Sequence, residues 1–97
     1  MKTMTWLEFA SAYCERQEQT IQGLNQVLRG LVARFNPVGF MLLECEMMDS
    51  SYLGSYTILP YGPSNTFLEP PKHPISPRGL ASDMSLVKGV MLASELP

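Results

Sequence analysis

Met41-Leu42-Leu43-Glu44-Cys45-Glu46-Met47 is the stretch on which the fold class turns. Met41, Leu43, Cys45 and Met47 fall on one side of an extended chain and Glu44 and Glu46 on the other. That period of two is the signature of a half-buried strand. Intrinsic propensity argues the opposite way, because Met, Leu and Glu are good helix formers. The residues that follow favour the strand. Asp49-Ser50-Ser51 is a turn cluster, and Tyr52 to Leu59 is rich in aromatic and β-branched side chains. Two extended runs around a short polar turn read as a β-hairpin.

Upstream lies a helix. Thr5-Trp6-Leu7-Glu8 matches a capping box, in which the Thr hydroxyl and the Glu carboxylate each satisfy the other residue's backbone N–H. Asn36-Pro37 is the stop signal, since Asn tolerates the left-handed conformation and proline excludes helix from the residue before it. Between these limits Leu7, Ala10, Cys14, Gln17, Ile21, Leu24, Leu28, Leu31 and Phe35 step by threes and fours. A flanking row of Trp6, Tyr13, Thr20 and Val27 widens the stripe. The pattern predicts one long N-terminal helix packed on a sheet, or used to self-associate. Residues 15–20 are polar on nearly every side, and Gly23 and Gly30 each weaken a helix interior. A kink or break near residues 17–23 is consistent with that run.

Downstream the composition changes. Six of the eight prolines fall in residues 60–80, and Pro71, Pro74 and Pro77 repeat at spacing three, as on one edge of a polyproline II helix. Leu86 to Leu92 reads as a third strand completing the sheet, and Met84, Val87 and Met91 read alternatively as the face of a short helix. The expected class is therefore α+β: a long helix on a small antiparallel sheet, with a proline-rich C-terminal arm. Residues 1–59 form the helix and hairpin core, 60–80 the arm, and 81–97 an element that completes the same domain. A mostly helical fold, with residues 39–48 and 83–95 as helices, is the alternative.

Composition bounds the function. Ninety-seven residues suit a single domain. With 45% hydrophobic residues a core is available, and with 16% charged residues the chain is charge-poor against a usual ~25%. A net charge of −2 argues against binding nucleic acid by phosphate neutralisation. No run approaches the ~18 apolar residues of a membrane span. Glu8 interrupts the apolar core that a secretory signal needs. Cys14 and Cys45, without a C-x-x-C pair, read as two buried thiols in a reducing cytoplasm.

Catalytic equipment is sparse. His73, the one histidine, sits between Lys72 and Pro74, without a partner of the kind acid–base chemistry requires. One histidine and two distant cysteines make no metal set, so neither metal nor cofactor is expected. Glu44 and Glu46 read as a solvated outer strand face, or as part of an acidic patch that meets a basic partner. No phosphate-binding glycine motif and no nucleophile elbow occurs. The residues left for a partner are Ile21, Leu24, Leu28 and Leu31 on the helix. Beside them stand Tyr52, Tyr56 and Tyr61 as aromatic anchors, and Pro71, Pro74 and Pro77 on the arm. The expectation is a non-enzymatic interaction or assembly subunit that self-associates or docks on a larger protein complex. The alternative is a small inhibitor or small-molecule-binding domain of the kind mobile elements encode.

Overall fold

The computed structural model describes residues 2–44, 56–68 and 87–97. Tyr52, Pro71, Pro74 and Pro77, the hairpin turn at 49–51, Cys45, Glu46 and His73 lie outside them. The chain is an α+β domain: two helices on a three-stranded antiparallel sheet. Its elements are α1 (Trp6–Gln17), α2 (Ile21–Phe35), β1 (Gly39–Glu44), β2 (Tyr56–Tyr61) and β3 (Val87–Leu92). Short 3₁₀ turns follow at Pro63–Asn65 and Ala93–Glu95.

The single long helix expected over the first third is instead two. Glu18 adopts the left-handed conformation with φ 53°, and its N–H donates back to the Cys14 carbonyl. Thr20 then starts a new helix, its hydroxyl accepting from the Gly23 N–H at 3.0 Å. The break falls in the polar run because nothing apolar there has to stay on a continuing stripe, and because a Thr cap satisfies one of the freed donors. The outer limits match the capping signals. Glu8 N–H donates to the Thr5 hydroxyl at 3.2 Å, and Thr5 N–H to the Glu8 carboxylate at 2.9 Å. Asn36 closes α2 in the left-handed region at φ 48°.

The strands run in the order β2-β1-β3, with β1 antiparallel to both neighbours. The third strand is thus a strand, paired with the centre of the sheet. β2 continues past Leu59 through Pro60 to Tyr61, so the proline-rich stretch opens inside the sheet. Proline is tolerated there because β2 is an edge strand. The Pro60 carbonyl is used on the outer side, where it accepts from the Leu68 N–H at 3.1 Å.

The sheet is apolar on both faces. Phe40, Leu42 and Met91 face the helices and join Phe9, Ala10, Leu24, Leu28 and Met4 in the main core. Met41, Leu43, Leu59 and Tyr61 form a second buried cluster on the opposite face, with Phe67, Val87 and Val90 against it. The alternation that identified β1 therefore picked only one of its two buried sides. Phe40-Met41-Leu42-Leu43 is a continuous apolar run because both sides are covered, as in strands buried on two faces. Gly39 is required at the start of β1 by space. A Cβ there would lie 2.5 Å from the Met91 carbonyl oxygen and 2.6 Å from the Tyr61 hydroxyl.

Candidate interaction surface

The helix layer carries the residues that the periodicity singled out, but it sorts them. Leu24 and Leu28 are fully buried in the chain's own core, and Leu31 is partly buried against it. Ile21 is 46% exposed. On α1 the inward face is rotated toward the Trp6–Tyr13 row. Phe9 and Ala10 are buried, while Leu7, the first member of the expected stripe, is 68% exposed. Phe9, the anchor of this helix, is absent from the heptad reading. Its spacing from Trp6 and Tyr13, by three and four, is the signal that reveals it.

The three tyrosines do not share a face. Tyr56 is half-buried on the helix side, with the Arg16 guanidinium over its ring at 4.6 Å. Tyr61 is buried on the far side of the sheet. Neither forms an exposed aromatic patch.

One polar cluster ties α1 to the end of the sheet. Arg16 Nη1 lies 2.7 Å from Glu44 Oε2, and Lys88 Nζ 3.2 Å from Glu44 Oε1. Lys88 reaches this point from a β-bulge: the register steps between Leu42 and Leu43 and leaves Lys88 out of the ladder. The Gln17 side-chain oxygen accepts from the Tyr56 N–H at 2.7 Å. The expected solvated strand face is therefore corrected at Glu44, whose side chain is only 17% exposed and serves two cations. Burial acts to raise its carboxyl pKa, but hydrogen bonds from Arg16 and Lys88 outweigh it and hold the group below the usual glutamate range. Burial also pushes the Cys14 thiol up, which makes it a poor nucleophile. Beside this cluster a cleft of about 340 Å³ is lined by Ala12, Glu15, Arg16 and Tyr56.

Both sheet edges are engaged by the chain itself. On β3 the Val90 N–H donates to the Lys2 carbonyl at 2.8 Å, and the Met4 N–H to the Val90 carbonyl at 2.7 Å. On β2 the side chain of Gln17 covers one end and Leu68 the other. Strand addition is thereby obstructed at both edges. Among the described residues the large apolar side chains left exposed are Leu7, Ile21 and Val27 on the helices, Val38 just before β1 and Leu92 at the end of β3; Leu7 and Val27 are more than half exposed. Gly30 faces open space, with nothing within 4 Å of a Cβ built there.

Among the described residues no group of three His, Cys, Asp or Glu is placed to hold a metal ion, and no helix is long and apolar enough to cross a membrane. No protein-family model, curated protein or solved structure matches the chain.

Proposed function

We propose that this chain is a non-enzymatic interaction or assembly subunit that works through the back of its helix layer. The observation that carries the reading is the division of its surfaces. The central strand is buried on both faces and the sheet edges are engaged, while Leu7, Ile21 and Val27 stand exposed on the helices. Exposed side chains of this kind, spaced along two adjacent helices beside an open glycine, suit contact with another protein surface. Tyr52 and the prolines Pro71, Pro74 and Pro77 are candidates for a second docking element.

Sedimentation equilibrium over a wide concentration range tests the reading. A mass that rises with concentration, and falls back to the monomer in Val27→Asp with an unchanged circular dichroism spectrum, is expected. A chain that stays monomeric, and whose natural partners bind equally well to Val27→Asp, would overturn it.

A second reading, binding of a small molecule, draws support from the cleft beside Arg16 and Tyr56. Native mass spectrometry of the purified chain distinguishes the two. A ligand retained by the chain and lost in Tyr56→Ala favours the cleft.

A further inference from the structure

α2 and the turn after β3 enclose a second cleft, which shares no lining residue with the one beside Tyr56. It holds about 310 Å³ and is lined by Arg29, Val32, Ala33, Ala93 and Leu96. Arg29, Val32 and Ala33 stand at steps of three and four, on one side of α2. Ala93 and Leu96 are three apart in the 3₁₀ turn and its cap, so they fall on one side of it. Val32, Ala93 and Leu96 are half-buried against the main core, and Ala33 is exposed. The remaining wall is the Arg29 side chain, and its guanidinium is held in place. Nε donates to the Asn25 side-chain oxygen at 2.9 Å, and Nη2 donates to the Pro97 carbonyl oxygen. Nη1 has no partner among the described residues, and no Asp or Glu pairs with Arg29 there. Glu95, the acid on the turn, is turned to α1, where it accepts from the Trp6 N–H at 3.3 Å. This corner of the fold is short of acceptors. With Asn25 Oδ1 taken by Arg29, the Asn25 amide nitrogen is buried without a hydrogen-bond partner.

We infer that this cleft binds a small amphipathic carboxylic acid, its apolar body against Val32, Ala33, Ala93 and Leu96 and its carboxylate on Arg29. The inference goes beyond the interaction reading and does not depend on it. Volume, walls and donors together select this class. The volume lies at the low end of ligand cavities, so the ligand is small. The walls other than Arg29 are hydrocarbon, so its body is apolar. The polar groups at this corner with bonds still to make are donors, so its head is an acceptor. A guanidinium carries five N–H groups, and a charged acceptor makes the stronger bond to it. A cationic ligand would meet Arg29 and find no carboxylate in the lining. Asn25 and Pro97 already fix the guanidinium, so little of its rotamer freedom is left to lose on binding.

The experiment titrates octanoate into the isotope-labelled full chain and follows the backbone amide chemical shifts. Saturable shifts are expected at Arg29, Val32, Ala33, Ala93 and Leu96. The expected Kd is about 0.1–1 mM, the range for a ligand of about ten heavy atoms in a shallow site. Arg29→Gln is expected to weaken octanoate about tenfold while leaving the binding of octanol, which has the same chain and no charge, unchanged. Arg29→Lys keeps the charge and is expected to recover part of that loss. Ala33→Phe fills the cleft from an exposed position, and is expected to abolish binding of both molecules with an unchanged circular dichroism spectrum. Octanoate without saturable shifts up to about 10 mM would overturn the site. So would shifts centred on Ala12 and Tyr56, or octanoate binding undiminished in Ala33→Phe. Equal losses of octanoate and octanol in Arg29→Gln would overturn the carboxylate as the recognised group. The interaction reading is tested separately, by sedimentation without added ligand.

Discussion

α1 and α2 come from one apparently continuous pattern, yet they are held in different ways. α1 is tied down at both ends by distant parts of the chain. The Trp6 N–H donates to the Glu95 side chain at 3.3 Å, and Arg16 and Gln17 reach Glu44 and the start of β2. Its centre is filled by Phe9, which has no exposed surface. α2 relies on an apolar stripe, Leu24 and Leu28 with Leu31 and Val32, and carries two glycines. Its Arg29 guanidinium donates a long-range hydrogen bond to the Pro97 carbonyl oxygen. The difference separates two sources of helix stability: specific anchors fix where α1 sits, and burial along a stripe holds α2 in place.

The largest expected effect tests the anchor. Phe9→Ala should cost about 3–5 kcal/mol, the usual range for removing a fully buried Phe, and urea denaturation would measure it. A loss below about 1 kcal/mol would mean that α1 is held by its ends alone. Leu28→Ala on α2 should cost about 2–5 kcal/mol by the same mechanism.

Next comes the clasp at Glu44. Its folded pKa is depressed, so the stability it contributes is present above its unfolded pKa and lost as pH falls through the folded value. Glu44→Gln should therefore lower the urea midpoint at pH 7. Native protein and variant should converge as pH drops from about 5 to below the usual glutamate pKa of about 4.3. A gap that persists at pH 3 would assign the effect to shape rather than charge.

Gly30→Ala is a smaller effect with the opposite sign. Nothing crowds a Cβ at that position, so the helix should gain up to about 1 kcal/mol. Gly23→Ala should not match it, because its Cβ would lie 2.9 Å from the Thr20 hydroxyl that caps the helix. The smallest effect belongs to Leu7→Ala, expected within about 0.5 kcal/mol because that side chain is mostly exposed.

What could be read from sequence was local chemistry. The capping box at Thr5 and Glu8, the Asn36 stop and the strand character of residues 41–44 and 87–92 depend on residues near one another in the chain. The break at Glu18 was legible as a weak place but not as a certainty, since Leu, Ile and Cys at steps of three and four continue across it. Leu7 and Ile21 fitted the stripe by spacing, and spacing cannot say which flank of a helix meets the sheet. That orientation is set by Phe40, Leu42 and Met91, distant in sequence. The second buried face was hidden for a related reason: Met41 and Leu43 announce one apolar side, and only the covering of the other makes Leu42 equally central. Glu44 was misplaced because its partners, Arg16 and Lys88, come from the two ends of the chain. Of the candidate surface, Val27 and Gly30 were visible as residues; their exposure, and the contacts that Lys2, Met4, Gln17 and Leu68 make with the sheet edges, were not.

The contact between Trp6 and Glu95 joins residues 89 positions apart, and Lys2 and Met4 pair with Val90. The strand that pairs with the second side of β1 is therefore made well after β1 and β2, and residues 2–4 must wait for it. Until then the β3 side of β1 has no partner, and Phe40 and Leu42 lack Met91. Contacts this distant close large loops and slow folding. During synthesis the chain thus passes through a stage with an open, apolar strand, and its exposure to aggregation is set by the time taken to translate the stretch between β2 and β3.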